Sequence, residues 1–409
     1  MGQPIQVEAV CLDHAAIFST NRSLSGQDAE AYDSGEQAAA RNTFPAALAS
    51  RCFQADPSIR RVFTISNQVV IERAPGWDQP GLDQVTELIR TFFTFYHERS
   101  PEERWEQLRE EHYNATIVHL RRVHPDLWVF RVRPDEPRPG FKAGQYITLG
   151  LGYWEPRIDG QQEDLTPERV ARLARCSYSL SHSILDDEGN LANLSSDEME
   201  FYVVLVRGED GSGDLPALTP RLFCKGEGDR LYVGRKYAGR YTLAGVEPDR
   251  DVVFLATGTG EAPHNAMTLE LLRGGHQGRI LAACSVRYRR DLAYLEVHRE
   301  LERRFPQYRY LALTTREEED LTNKVYIQDL IRSGRLEEEL EGPLDPQRVE
   351  FFLCGNPLMI GLPHWDGDRP TYPSSQGVVE LLVERGFTLD RPKVRGNIHY
   401  EEFWKADEE

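Results

Sequence analysis

The 409-residue sequence has little of what a membrane-spanning, exported or metal-cluster protein needs. No apolar run approaches the roughly 18 residues of a membrane span. The start, MGQPIQVEAV, lacks the basic and apolar segments of a signal peptide. The six cysteines are widely spaced and form no C-x-x-C pair, which argues against a local zinc or iron–sulfur motif. We therefore expect a cytoplasmic protein with reduced thiols, no metal site and no membrane insertion.

Positive charge is also scarce. Lys and Arg number 48 against 66 Asp and Glu, so the formal net charge is −18. Proteins that bind nucleic acid usually carry a basic face, and we expect no nucleic-acid partner. Hydrophobic residues make up 40% and charged residues 28% of the chain, which is ordinary for folded proteins. The length predicts two or three domains.

Three regions of the chain differ in their residue pattern. Residues 1–110 contain an alternating apolar stretch at 61–71 and then a helical stripe at 82–93, which predicts a small α/β domain. Residues 111–247 are short apolar runs separated by Pro, Gly and Asp, which predicts an antiparallel barrel or sandwich. In residues 248–409 strands alternate with helical stretches, which predicts a parallel sheet with crossover helices. A Pro- and Gly-rich stretch at 361–376 is predicted to be a surface insertion.

Two turns in the last region have the composition of a nucleotide site. The sequence TGTGEAP, from Thr257 to Pro263, follows an apolar strand and opens a helix. Glycines there allow close approach of a phosphate, and the helix start offers free N–H groups. The sequence CGNPLM, from Cys354 to Met359, follows the last long strand. Taken singly, each could be a tight turn or a buried cysteine. Both lie at the carboxyl ends of predicted parallel strands, where open sheets bind ligands.

The order of the motifs is more specific than any one of them. Gly144-Gln145-Tyr146 in the barrel region is followed by Tyr178-Ser179, then by GTG-x-A-P, then by CGNP-x-M. This order resembles the ferredoxin–NADP reductase family, and most closely its bacterial ferredoxin/flavodoxin reductases, over about residues 112–404. The resemblance implies an antiparallel barrel that binds FAD and an α/β domain that binds NADP(H).

The resemblance also implies roles for residues of the barrel region. Tyr178 would stack on the flavin ring, with Ser179 beside its reactive edge, and Arg175 would pair with the FAD pyrophosphate. The family pattern is R-x-Y-S, whereas this chain has Arg175-Cys176-Ser177-Tyr178-Ser179, one residue longer. Further FAD contacts are implied for Leu180, Thr219 and Trp404; five residues follow Trp404.

On the nucleotide side, the resemblance places the pyrophosphate of NADP at the glycine turn and the nicotinamide at the CGN turn. Glu261 stands where an apolar residue is usual. The 2′-phosphate preference has its own basis, because Arg287 follows the second strand where an NAD site would carry an acid. Cys354 joins Tyr178 and Ser179 as a catalytic candidate. The implied NADP contacts are Thr257, Gly258, Thr259, Gly260, Arg287, Arg316, Lys324, Cys354, Gly355 and Met359.

These features predict a FAD-dependent oxidoreductase that moves electrons between NADP(H) and ferredoxin or flavodoxin. A hydride would pass between NADPH and flavin N5, and single electrons would pass to the carrier. A basic stretch from Lys225 to Arg240 is a candidate docking surface for an acidic carrier, or simply a solvated face. One alternative is an NADPH-dependent flavin or quinone reductase, or an oxygenase reductase component, of the same fold.

The N-terminal region supports a different class of hypothesis. Residues 14–96 resemble the N-terminal domain of the Nfu iron–sulfur scaffold proteins in the order of their apolar segments. That domain is not the part that carries the cluster-binding cysteines, and Cys52 is expected to be a core thiol. The region would then dock another protein, and an iron–sulfur assembly interaction protein is the non-enzymatic alternative.

Overall fold

The structure is a computed structural model that describes residues 5–26, 28–74, 76–92, 101–193, 197–207, 215–320, 322–367, 369–392 and 394–403. The chain divides into two compact units, Met1–Arg104 and Trp105–Glu409. No helix in these ranges has both the length and the hydrophobicity to cross a membrane.

The first unit is an antiparallel sheet with helices packed against it. Its five strands lie in the order β1-β2-β5-β4-β3, and its core includes Phe18, Val62 and the thiol of Cys52. The single strand expected at 61–71 is a hairpin instead, because Ser66 adopts a left-handed conformation (φ 51°) and reverses the chain. Its elements are β1 (Val7–Leu12), β2 (Ala15–Thr20), β3 (Ala29–Tyr32), α1 (Gly35–Ala39), α2 (Phe44–Ala55), β4 (Ile59–Ile65), β5 (Gln68–Arg73) and α3 (Gln79–Phe92).

The second unit begins with a six-stranded antiparallel sheet in the order β10-β7-β6-β11-β8-β9. A bridge between Ser181 and Glu200 joins the two outer strands and closes the sheet into a barrel. The barrel core is filled by side chains such as Phe130, Leu149 and Phe201. The elements are α4 (Pro101–His112), β6 (Ala115–His124), β7 (Leu127–Pro134), β8 (Tyr146–Gly152), α5 (Pro167–Val170), β9 (Leu173–Ser179), β10 (Met199–Val204), α6 (Thr219–Leu222) and β11 (Arg230–Val233).

A parallel five-stranded sheet follows, in the order β14-β13-β12-β15-β18. Two apolar clusters cover its two faces, as expected for a sheet buried on both sides. The 361–376 insertion forms a small hairpin of β16 and β17. The elements are β12 (Asp251–Thr257), α7 (Glu261–Arg273), β13 (Ile280–Val286), α8 (Leu295–Arg304), β14 (Tyr308–Thr314), α9 (Ile327–Arg332), α10 (Arg335–Leu340), β15 (Val349–Gly355), α11 (Pro357–Ile360), β16 (His364–Asp366), β17 (Arg369–Thr371), α12 (Val378–Val383) and β18 (Ile398–Glu402). The antiparallel barrel and the parallel sheet predicted from the sequence are both present.

Candidate active site

The glycine turn and the CGN turn touch each other at the carboxyl ends of β12 and β15. A Cβ on Gly260 would lie 2.3 Å from the carbonyl oxygen of Cys354, so only glycine fits. Gly355 has a positive φ of 123°, and a Cβ there would lie 2.3 Å from Thr257 Oγ1. The amide of Asn356 donates to the same Thr257 hydroxyl at 2.7 Å. Two motifs nearly a hundred residues apart in sequence therefore form one surface.

A large cleft opens over these turns. Its volume is about 1090 Å³, which is large enough for a dinucleotide. On one side it is lined by Thr257, Gly258 and Thr259, with Met359 from the CGN turn. Barrel residues such as Tyr202 and Val204 line the other side. The predicted nucleotide contacts Gly260, Cys354 and Gly355 do not line the cleft; they belong to the turns that form its floor.

Three predicted phosphate ligands also line this cleft. Arg287, Arg316 and Lys324 are exposed, and within the described ranges none has a carboxylate at ion-pair distance. The amide of Arg316 donates to the carbonyl of Arg287 at 2.9 Å, so the loops after β13 and β14 are joined. Cations without carboxylate partners, beside a turn whose helix start offers free N–H groups, fit an anionic nucleotide.

On the barrel side, the extra residue before Tyr178 changes which side chains share a face. Alternate residues of β9 point to opposite faces, so Arg175 and Tyr178, three residues apart, do not share one. Cys176 shares the face of Tyr178, and the two side chains are hydrogen-bonded. The Arg175 guanidinium lies over the ring of Tyr232 at 4.6 Å. The structure does not bring Arg175 to Tyr178, and its pyrophosphate role stays a prediction.

The remaining flavin candidates differ in how accessible they are. Leu180 is fully buried in the barrel core, so only its backbone is available for contact. The Thr219 hydroxyl accepts from the amide of Val206 at 3.2 Å and is largely buried. Trp404 lies outside the described residues. Tyr178 and Ser179 offer an aromatic ring and a hydroxyl on the last strand of the barrel, a combination that fits a flat cofactor.

Glu401 is a site residue that the sequence analysis missed. Parallel pairing of β15 and β18 places it directly beside Cys354. Ser179 donates from Oγ to Glu401 Oε2 at 2.9 Å. Burial raises the pKa of Glu401 to about 7, although the Ser179 hydrogen bond acts in the opposite direction. The sequence signal for it is a pair of acidic residues at the end of the C-terminal strand β18.

Glu401 adjoins two predicted catalytic residues, because Ser179 hydrogen-bonds its carboxylate and Cys354 is its register neighbour on β15. Cys354 is fully buried, and burial with the nearby Glu401 carboxylate raises the pKa of its thiol well above the ordinary value. Cys354 is therefore a neutral thiol at physiological pH. The Ser179–Glu401 hydrogen bond links the barrel to the parallel sheet beside Cys354. The Glu401 carboxyl group in this link has a pKa of about 7 and exchanges a proton near neutral pH.

The barrel, the parallel sheet and the nucleotide cleft define a dinucleotide-dependent oxidoreductase. A family model of the oxidoreductase NAD-binding domain matches residues 254–363. The flavodoxin/ferredoxin–NADP reductase of Shigella flexneri is 31% identical over 237 residues, covering 57% of this chain and 81% of that protein. The ferredoxin–NADP reductase of Pseudomonas aeruginosa is 25% identical over 258 residues, covering 61% and 86%. The chain belongs to the ferredoxin/flavodoxin–NADP reductase family.

A solved structure shares the fold. It is a ferredoxin NADP+ reductase from Neisseria gonorrhoeae with bound FAD and NADP, and it is 19% identical with a TM-score of 0.52. The match covers 71% of this chain and 99% of that one. The residues that the family model matches lie within the second unit, and the Nfu-like interpretation of the first unit stays a prediction.

Proposed function

We propose that this protein is a FAD-dependent reductase that transfers electrons between NADP(H) and ferredoxin or flavodoxin. The observation that supports the proposal is the Ser179–Glu401 hydrogen bond beside Cys354, together with a cleft that is lined by exposed cations. In this proposal residues 111–247 hold FAD and residues 248–409 hold NADP(H), in the cytoplasm.

FAD supplies the redox chemistry when bound, since it accepts two electrons as a hydride and passes electrons on singly. The chain's own groups bind and orient FAD and NADP(H). Tyr178 offers its ring as a stacking surface, and the glycine turn offers backbone amides to the pyrophosphate. Arg287, Arg316 and Lys324 hold the 2′-phosphate, which favours NADP over NAD.

Glu401 is the proton-holding group of the site, and its Oε2 accepts the hydrogen bond from Ser179. Because its pKa is about 7, the carboxyl group gains or loses that proton at physiological pH. Cys354 contributes a neutral thiol that is fully buried and does not line the cleft. These are the groups that would set proton movement and geometry during the reaction.

We propose that the electron carrier docks beside strand β8 of the barrel. Of the predicted basic stretch, Lys225 is paired with Glu155 at 2.7 Å and Arg230 with Asp135 at 2.5 Å. Arg235, Lys236 and Arg240 are exposed, on the segment that pairs with β8 through Ala238 and Tyr146. Acidic carriers are steered by exposed cations in this way.

The test of the proposal is steady-state reduction of ferredoxin and of flavodoxin with NADPH and NADH side by side. We expect flavin in the purified protein, rapid turnover with at least one carrier, and a strong preference for NADPH. Turnover only with free flavin or dyes would favour the flavin or quinone reductase alternative. A protein that binds no flavin would reject the enzyme and leave the iron–sulfur assembly hypothesis.

Docking is tested by replacing Arg235, Lys236 and Arg240 with Glu. We expect the KM for the carrier to rise about tenfold at low salt, with a smaller difference at high salt. Arg348→Glu is the control for the single change Arg235→Glu, because each reverses one charge and Arg348 is exposed at the amino end of the parallel sheet. Equal effects of both changes would show that only overall charge matters.

A further inference from the structure

Glu261 opens α7 directly after the glycine turn, yet its side chain is only 3% exposed. Its Oε1 accepts from the Tyr310 hydroxyl at 2.5 Å and lies 3.2 Å from His298 Nε2. Its Oε2 has no hydrogen-bond partner among the residues that the structure describes. A buried carboxylate therefore lies at a helix start where the cleft would receive an anion.

The surrounding side chains form a connected polar group beneath the turn. His298 Nδ1 hydrogen-bonds the Tyr308 hydroxyl at 2.8 Å, and its ring stacks on Tyr310 at 4.0 Å. The Cys284 thiol donates to the carbonyl of Gly258 at 3.7 Å. Of these groups, His298 is the one that can carry a positive charge opposite Glu261. The charge of Glu261 is therefore offset, at most, by one imidazole.

Charges near a helix start act on the same positive potential that binds phosphate. A carboxylate in the first turn of α7 lowers that potential, whereas an apolar residue in the same place leaves it unchanged. The side chain is shielded from water, so solvent screens this effect less than it would at the surface.

We propose that the negative charge of Glu261 sets the affinity for NADP(H) by repelling the pyrophosphate at the glycine turn. His298 reduces this electrostatic repulsion. The inference rests on the proposed function, since it takes the cleft as the NADP(H) site. Its consequence is a weaker hold on the nucleotide, which favours release of the product nucleotide after each turnover.

Two variants test the inference with opposite expected signs. Glu261→Gln keeps an acceptor for Tyr310 and removes the charge, so NADP⁺ should bind about fivefold more tightly. His298→Gln leaves the carboxylate without its imidazole partner, so NADP⁺ should bind about fivefold more weakly. Loss of packing alone would weaken binding in both variants. The measurement is isothermal titration of the flavin-loaded protein with NADP⁺, with thermal unfolding as the check on folding.

Adenosine 2′-monophosphate is the control ligand, because it carries the 2′-phosphate but no pyrophosphate. Its affinity should change less than twofold in both variants. Weaker or unchanged NADP⁺ binding in Glu261→Gln, or an equal change for the control ligand, would overturn the inference. If the unmodified protein binds neither ligand, the proposed function itself fails.

Discussion

The two ends of the parallel sheet differ in whether their buried charges are paired with opposite charges. At the amino end, His399 on β18 contacts two carboxylates, Asp390 at 2.6 Å and Glu350 at 2.9 Å. Arg250 and Arg395 lie within 4 Å of the same Glu350. At the carboxyl end of the same strand, Glu401 has Ser179 as its hydrogen-bond donor and no cation within ion-pair distance among the described residues.

The difference separates a structural role at the amino end of β18 from a functional role at its carboxyl end. The amino end neutralises its buried charges, so β18 is held firmly in the sheet. The carboxyl end leaves a carboxyl group with a pKa of about 7 and exposes cations without carboxylate partners. A group that is fully paired has no proton or contact to offer a ligand, whereas a partly satisfied one does. Substitutions at each end of the sheet should therefore have different effects.

The largest expected effect is at the cations of the carboxyl end. Replacing both Arg287 and Arg316 with Ala removes two charge-assisted phosphate contacts, worth about 4 kcal/mol together, so NADPH should bind about a thousandfold more weakly. NADH affinity should change little, since NADH has no 2′-phosphate. Equilibrium binding of both nucleotides checks this, with Arg289→Ala as the control because Arg289 is exposed but does not line the cleft. Equal losses for both nucleotides would contradict the assignment.

The amino end should matter for stability instead. His399→Gln leaves Asp390 without its cation and Glu350 with only the more distant Arg250 and Arg395, and it should lower the free energy of unfolding by about 3 kcal/mol. Contacts with Asp390 and Glu350 raise the pKa of His399 despite burial. Its contribution is therefore complete below the unfolded-state pKa of about 6.5 and lost as pH rises through the higher folded-state pKa. Urea unfolding between pH 6 and 9 should show this decline in the unmodified protein and not in the variant, while nucleotide affinity stays unchanged.

In contrast to His399→Gln, Glu401→Gln should lower activity and raise stability. Loss of the proton-holding group is expected to lower the rate of flavin reduction by NADPH about a hundredfold and to remove the pH dependence near 7. Stability should rise, because an acid whose pKa is raised by burial destabilises the fold above its unfolded-state pKa. The gain at pH 8 is about 3 kcal/mol. Stopped-flow reduction and urea unfolding on the same preparation test both halves; a slower and less stable variant would contradict the comparison.

The smallest expected effect comes from Ser179→Ala. The Ser179 hydrogen bond lowers the pKa of Glu401, so its loss should raise that pKa further and move the pH dependence of flavin reduction upward. The rate at pH 7 should fall about tenfold. A tenfold loss with no shift of the pH profile would mean that Ser179 acts on the flavin and not through Glu401.

Sequence by itself determined the architecture of the second unit and the nucleotide side of the site. Strand and helix periods are local, so an antiparallel β region and a parallel sheet could be predicted from residue spacing, and the family resemblance selected the barrel. The glycine and CGN turns could be predicted because each is a continuous segment with its own backbone requirements. Arg287 followed from its place after the second strand, and the family resemblance added Arg316 and Lys324.

Tertiary structure alone decided the rest. Glu401 meets Ser179 across 222 residues of sequence and lies beside Cys354 only because β15 and β18 pair in parallel. The hairpin at Ser66 and the opposite faces of Arg175 and Tyr178 depend on backbone geometry that an apolar pattern does not record. Glu261 was visible in the sequence as a departure from the family pattern. Its effect depends on His298 and Tyr310, which other elements bring beneath the turn, because burial and pairing of charge are properties of packed neighbours and not of sequence order.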